Sequence, residues 1–104
     1  MHMKNVTPQE SQELIGQGAI AIDVRTKEEY ASGHVPGATN IDISSSTFEE
    51  EIGKLDKSKQ YVVNCLSGGR SSRAVARMDE LGFTDARNVA GGITAWKSAG
   101  LPVA

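Results

Sequence analysis

The stretch Tyr61-Val62-Val63-Asn64-Cys65-Leu66-Ser67-Gly68-Gly69-Arg70 decides the fold of this chain. Residues 61–64 have the apolar and aromatic character of a buried strand. A short loop with two glycines follows, and apolar residues at helical spacing then predict a helix over residues 71–81. A strand, a tight loop and a helix in this order are typical of an α/β domain.

The remaining elements alternate in the same way. Predicted strands cover residues 19–24, 40–43 and 86–89. Thr7 with Glu10, and Thr26 with Glu29, form the capping-box pattern that starts a helix. Two further helices are predicted over residues 48–55 and 93–99. Because strands alternate with helices, we expect an α/β fold with a mainly parallel sheet between helices on both faces.

Length and composition indicate a single domain over residues 1–104, with 38% hydrophobic and 23% charged residues. We treat Met1-His2 as an addition before a native Met3 and leave residues 1–3 out of fold reasoning. The net charge of −2 favours neither nucleic acid nor membrane as a partner. No apolar run is long enough to cross a bilayer and no signal peptide is recognisable, so we expect a cytoplasmic protein.

Cys65 is the only cysteine, and the chain has two histidines. One cysteine cannot form an intramolecular disulfide, and this set cannot build a Cys-rich zinc site. We therefore expect no metal and no cofactor. Any reaction that passes through Cys65 must be completed by a partner molecule.

The loop from Cys65 to Arg70 has the composition of a thiolate site. A free cysteine with a pKa of about 8.5 is only about 3% ionised at pH 7. Lowering the pKa by ~2 units requires ~2.7 kcal/mol, whereas a helix terminus supplies ~0.3–1 kcal/mol. Gly68 and Gly69 let backbone amides converge on the sulfur, and Arg70 adds a permanent positive charge. We expect a reactive thiol, open to alkylating reagents at pH 7; the alternative is a buried structural cysteine.

Further segments stand in a fixed order along the chain: Asp23-Val24-Arg25, Glu29-Tyr30, Gly33-His34-Val35-Pro36-Gly37-Ala38, Asn40-Ile41, Gly91-Gly92-Ile93, Ala95-Trp96 and Gly100-Leu101-Pro102-Val103. With the loop from Cys65 to Ser71, they resemble the single-domain rhodaneses, a sulfurtransferase family. The resemblance implies a five-stranded parallel sheet flanked by helices. It also implies a persulfide-forming Cys65 whose bound sulfur is held by the amides of Leu66, Ser67, Gly68, Gly69 and Arg70.

The implied enzyme is a thiosulfate sulfurtransferase that works by double displacement. Cys65 takes a sulfane sulfur from a small-molecule donor such as thiosulfate. A thiol, cyanide or a protein acceptor then removes the sulfur. The alternative is a persulfide carrier or sensor that serves a protein partner, and the absence of a basic residue at positions 66–69 leaves the donor open.

Loop length separates sulfur transfer from phosphate chemistry. Related phosphatases and arsenate reductases place five residues between cysteine and arginine, whereas four separate Cys65 from Arg70. The smaller ring of amides suits a single sulfur atom, so a phosphatase or arsenate reductase is disfavoured. A thiol-disulfide oxidoreductase is also disfavoured, because the chain has no resolving cysteine.

Two further polar groups are interpreted as structural. Asp23 and Arg25 end the first predicted long strand, and we expect them to form ion pairs, with Glu29 or His34 as partners. His34 precedes a Val-Pro-Gly turn and is expected to fix that turn by a hydrogen bond.

Overall fold

The computed structural model describes residues 4–104, so the expectation for residues 1–3 lies outside the described residues. The helices and strands follow one another as β1 (Asn5–Val6), α1 (Pro8–Gly16), β2 (Ile20–Asp23), α2 (Lys27–Ala31), β3 (Thr39–Asn40), α3 (Phe48–Gly53), β4 (Gln60–Asn64), α4 (Gly69–Glu80), β5 (Asp85–Val89) and α5 (Gly92–Ser98).

The strands form one sheet in the order β1-β5-β4-β2-β3, and each neighbouring pair is parallel. β4 is the central strand. It pairs with β2 in the register Ile20–Tyr61 and with β5 in the register Gln60–Asp85. The predicted α/β class and the five-stranded parallel sheet are both confirmed.

Helices cover both faces of the sheet. Alternate residues of β4 point to opposite faces, so this strand contributes to two separate cores. Tyr61 and Val63 belong to a core beneath α3 and α4, to which Ile52 and Met78 also belong. Val62 belongs to a second core beneath α1 and α5. That second core contains Val6, Ala21, Val89, Ile93 and Trp96. The predicted arrangement of helices on both faces is confirmed.

Both predicted capping boxes are present. The Thr7 side chain accepts a hydrogen bond from the Glu10 backbone, and the Glu10 carboxylate accepts one from the Thr7 backbone. Thr26 and Glu29 repeat this pattern at the start of α2. Each box satisfies amides that a helix N-terminus otherwise leaves unpaired.

Several predicted bounds are wrong. β1 was not predicted, because a strand of two residues is too short to show any periodicity. The strand expected over residues 40–43 is only Thr39–Asn40. The chain turns away after it, and the Asp42 carboxylate accepts a hydrogen bond from the Ser44 backbone. An aspartate that bonds the backbone two residues onward is a turn signal, and the apolar pattern concealed it.

Two helix bounds also differ from the prediction. α3 ends at Gly53, so Leu55 lies beyond it and packs from a loop against the core. α4 begins at Gly69 rather than at residue 71. Within residues 4–104, no helix combines the length and the apolar composition that a bilayer crossing requires.

Candidate functional site

Cys65 follows the last residue of β4, at the carboxyl edge of the sheet where parallel α/β folds bind ligands. Gly68 is the N-cap of α4 and has a φ of 111°, a left-handed conformation that favours glycine. Gly69 and Arg70 form the first turn of the helix. The loop is therefore shorter than predicted, and the positive end of the α4 dipole lies beside the sulfur.

Hydrogen bonds converge on the Cys65 sulfur. The Gly68 amide lies 3.0 Å from Sγ and the Ser71 hydroxyl lies 3.3 Å from it. Burial raises the pKa of the Cys65 thiol, but the donors outweigh burial, and the net effect is a lowered pKa. These donors are the hydroxyl and amide of Ser71 and the amides of Gly68 and Ser67. Such an arrangement favours the thiolate over the thiol.

Ser71 is a site residue that the sequence analysis missed. Its fully buried hydroxyl has three acceptors in reach: Cys65 Sγ at 3.3 Å, the Gly68 carbonyl at 3.3 Å and Asn88 Oδ1 at 2.5 Å. Asn88 Nδ2 in turn donates to Asn5 Oδ1 at 2.8 Å. A hydroxyl has one proton, so only one acceptor receives it at a time. The shortest contact shows that Asn88 competes with the sulfur for this proton.

The loop backbone is held by the start of α5. The Ile93 amide donates to the Cys65 carbonyl at 2.9 Å, and the Thr94 amide donates to the Leu66 carbonyl at 3.1 Å. Gly92 has a φ of 61°, and a Cβ atom built there would lie 2.5 Å from the Leu66 carbonyl. The Gly91-Gly92-Ile93 segment therefore allows one helix end to approach the loop closely.

Arg70 lies beside the loop, and its guanidinium is engaged by Glu29. Nη1 lies 2.8 Å from Oε1 and Nη2 lies 3.0 Å from Oε2, which is a bidentate ion pair. The hydrogen bonds from Arg70 lower the pKa of Glu29 to about 2 against the opposing effect of burial, with help from Thr26. The pKa of Arg70 is raised, first by Glu29 and then also by the charge of Cys65. Arg70 was predicted to add a positive charge to the loop, and its pairing with Glu29 was not predicted.

Asp23 and Arg25 pair with each other. The Arg25 Nε and Nη2 atoms donate to the Asp23 carboxylate at 2.8–3.0 Å, and Nη2 also donates to the Gly33 carbonyl at 2.7 Å. The expected partners Glu29 and His34 are wrong, because the two side chains of one strand end reach each other first. His34 instead stacks on Tyr30, and its Nδ1 atom lies 2.9 Å from the Tyr30 carbonyl oxygen. This hydrogen bond joins the residue before the turn to α2; its effect on the turn stays a prediction.

Access to the sulfur differs from the expectation. Cys65 is 1% exposed, so the predicted solvent-open thiol is wrong for this conformation. The residues that follow it fold back over the sulfur, as the Gly68 contact shows. Leu66 instead points outward and is 46% exposed. The Cys65 side chain is therefore almost fully covered in this conformation.

A parallel α/β sheet whose central strand ends in a hydrogen-bonded cysteine, at the N-terminus of a helix, defines a class of cysteine-loop α/β domains. Comparison with known proteins identifies the family within that class. Residues 7–99 match the family model described as Rhodanese-like domain. The chain belongs to the rhodanese family.

Individual relatives agree with this assignment. Thiosulfate sulfurtransferase GlpE of Pseudomonas savastanoi pv. phaseolicola is 34% identical over 95 residues, covering 91% of this chain and 88% of the relative. Thiosulfate sulfurtransferase 16, chloroplastic, of Arabidopsis thaliana is 34% identical over 100 residues, covering 86% and 83%. The crystal structure of a rhodanese-related protein from Thermoplasma volcanium superposes with a TM-score of 0.88 at 32% identity, covering 97% of each chain. The relatives' names place the chain in a sulfurtransferase family.

Proposed function

We propose that the protein is a sulfurtransferase that moves a sulfane sulfur from a donor such as thiosulfate to a thiol or cyanide through a persulfide on Cys65. The observation that carries the proposal is the set of hydrogen-bond donors around Cys65 Sγ, of which the Gly68 amide is the nearest at 3.0 Å. These donors lower the pKa of the thiol. The names of the relatives support the reaction type.

In the first half-reaction the Cys65 thiolate attacks the outer sulfur of thiosulfate. A new S–S bond forms on Cys65, the S–S bond of thiosulfate breaks, and sulfite leaves with the bonding electron pair. In the second half-reaction an acceptor nucleophile attacks the outer persulfide sulfur. Cyanide then leaves as thiocyanate and the Cys65 thiolate is restored. Charges balance in both steps without a redox cofactor.

The residues of the loop would share the work of holding the persulfide. The amides of Ser67 and Gly68 already point towards Sγ, and the N-terminus of α4 opens at Gly69. The Leu66 side chain is exposed next to Cys65, where it can contact an acceptor. Arg70 adds its charge from the first helical turn, although Glu29 engages that charge in the resting site.

The direct test is intact-mass spectrometry after incubation with thiosulfate. We expect a gain of one sulfur atom per chain, which cyanide removes as thiocyanate. Because Cys65 is the only cysteine, the matched variant Cys65→Ser reports on that sulfur alone. Sulfite release by Cys65→Ser at a rate near that of the wild-type protein would overturn the proposal.

A persulfide carrier that serves a protein partner is the second candidate, and the burial of Cys65 favours it. A covered persulfide is protected from small acceptors until a partner opens the loop. A long-lived persulfide with negligible thiosulfate–cyanide turnover would identify the carrier. A phosphatase or arsenate reductase remains disfavoured by the four-residue spacing, and release of phosphate from an aryl phosphate would argue for it.

A further inference from the structure

The cationic groups near the loop are almost all engaged by carboxylates. Arg25 is buried against Asp23, and Arg70 forms its two hydrogen bonds with Glu29. Positions 66–69 are Leu, Ser, Gly and Gly and carry no charge. Arg73 is exposed, but it lies one helical turn further along α4. The resting site therefore presents the Cys65 sulfur beside an ion pair that carries no net charge.

This charge distribution disfavours a doubly charged donor. Thiosulfate brings two negative charges to a sulfur that reacts only in its ionised form. The two reactants therefore repel each other unless a cation lies between them. The Arg70 guanidinium would be the nearby cation, but both of its Nη atoms donate to the Glu29 carboxylate. The pair is neither fully buried nor fully exposed, with side chains that are 29% and 31% accessible, so an incoming anion can compete with Glu29 for Arg70.

We propose that Glu29 sets donor selectivity: by neutralising Arg70, it makes the site favour singly charged sulfane donors, such as thiol persulfides and thiosulfonates, over small dianions. This inference rests on the proposed sulfurtransferase function and names the substrate class for the same site. Glu29 acts through Arg70 and is not itself a catalytic residue.

Two donors of nearly equal shape isolate the effect of charge. Thiosulfate and methanethiosulfonate both present a terminal sulfur on an SO₂ group, but the second has a methyl group where thiosulfate has a charged oxygen. With methanethiosulfonate, the Cys65 thiolate attacks the terminal sulfur, the S–S bond breaks, and methanesulfinate leaves with the electron pair. The product on the protein is the same Cys65 persulfide for both donors.

Glu29→Gln removes the charge while retaining most of the local structure. Glu29 also closes the α2 capping box, where its Oε1 atom accepts from the Thr26 amide at 3.1 Å. The glutamine carbonyl oxygen can accept the same hydrogen bond. The matched control is Glu28→Gln, an exposed neighbour on the same helix that removes one unit of charge without releasing Arg70.

The measured quantity is the ratio of kcat/KM for thiosulfate to kcat/KM for methanethiosulfonate. We expect Glu29→Gln to raise this ratio by about five- to tenfold, mainly through a lower KM for thiosulfate, which is the effect of removing one charge close to a dianion at a half-exposed site. Glu28→Gln should leave the ratio within about twofold of wild type, because its charge is solvated.

An unchanged ratio in Glu29→Gln, or an equal rise in Glu28→Gln, would overturn the inference while leaving sulfur transfer intact. If neither donor loads sulfur onto Cys65 in any variant, the proposed function fails and the inference fails with it. The wild-type protein gives an independent measurement that needs no variant. If Glu29 neutralises Arg70, no net attraction of thiosulfate is left for salt to screen, so kcat/KM for thiosulfate should stay flat or rise with ionic strength. A steep fall would contradict the proposal.

Discussion

Two arginine–carboxylate pairs stand near the carboxyl ends of the neighbouring strands β2 and β4, and they differ in burial. The Asp23–Arg25 pair is sealed, with side chains that are 0% and 3% exposed. The Glu29–Arg70 pair has side chains that are close to one-third exposed. A sealed pair cannot exchange partners without unfolding its surroundings, whereas a half-exposed pair can. We therefore expect a structural role for Arg25, and Arg70 is the arginine that an incoming anion can reach.

The largest expected effect comes from breaking the sealed pair. Asp23→Asn leaves the buried Arg25 charge without its counterion and should lower the free energy of unfolding by about 3–5 kcal/mol. Glu29→Gln should cost far less, because water solvates the released Arg70. Urea unfolding of both variants measures the difference. Equal losses would show that burial does not separate the two pairs.

A second large effect should follow from moving the loop that carries Cys65. In Gly92→Ala the new methyl group meets the backbone of Leu66 at 2.5 Å, and the residue must keep a φ of 61°. We expect a loss of stability of about 2 kcal/mol and slower sulfur loading, since the carbonyls of Cys65 and Leu66 lose their fixed donors.

The control for this variant is Gly16→Ala. Gly16 is the last residue of α1, and a Cβ atom there has no neighbour within 4 Å. Alanine at this helical position should be neutral or stabilising by up to about 1 kcal/mol. If Gly92→Ala behaves like Gly16→Ala in urea unfolding and in sulfur loading, the close approach of α5 does not position the loop.

The sequence predicts those features that local signals encode. Apolar runs mark β2 and β4, and two capping boxes mark the starts of α1 and α2. The loop with Cys65 is recognisable because its glycines and its arginine are consecutive along the chain. These signals, with the resemblance to rhodaneses, are enough to predict the fold class and to place the candidate nucleophile at the ligand edge.

Features that depend on distant residues were missed. Glu29 and Arg70 are 41 positions apart, and no local pattern links them. Ser71 contacts Cys65 only because α4 begins at Gly69, two residues earlier than its apolar periodicity indicates. Asn88 joins the site only because β5 lies beside β4. Burial of the sulfur likewise follows from the loop's folded conformation, which composition does not specify.

A smaller effect should show how much the Ser71 hydroxyl contributes among the hydrogen-bond donors to the Cys65 sulfur. Ser71→Ala removes the hydroxyl and should raise the pKa of Cys65, because the thiolate loses one of the hydrogen bonds that stabilise it. The pH dependence of iodoacetamide alkylation measures this pKa. Ser72→Ala is the matched control, since the Ser72 side chain makes no hydrogen bond within residues 4–104. An unshifted alkylation profile in Ser71→Ala would show that the hydroxyl proton stays with Asn88.

The smallest effect is a loss of stability at acid pH, which we expect from the Glu29–Arg70 pair. The pKa of Glu29 is about 2 in the folded protein, below its ordinary value of 4.5, so the unfolded chain binds more protons between these values. The stabilisation from the Arg70 contact is therefore complete above pH 4.5 and is lost as the pH falls towards 2. After allowance for solvent screening, this loss amounts to about 1 kcal/mol.

Glu29→Gln has no carboxyl group to titrate at this position, so its stability should fall less steeply with acid than that of the wild-type protein. The stability difference between the two proteins should shrink as the pH is lowered through the same range. Glu28→Gln should keep the wild-type slope. Urea unfolding at several acid pH values measures these slopes, and parallel curves for wild type and Glu29→Gln would show that Glu29 and Arg70 are not paired in solution. Arg70 would then be available to dianionic donors, and the selectivity assigned to Glu29 would lose its physical cause.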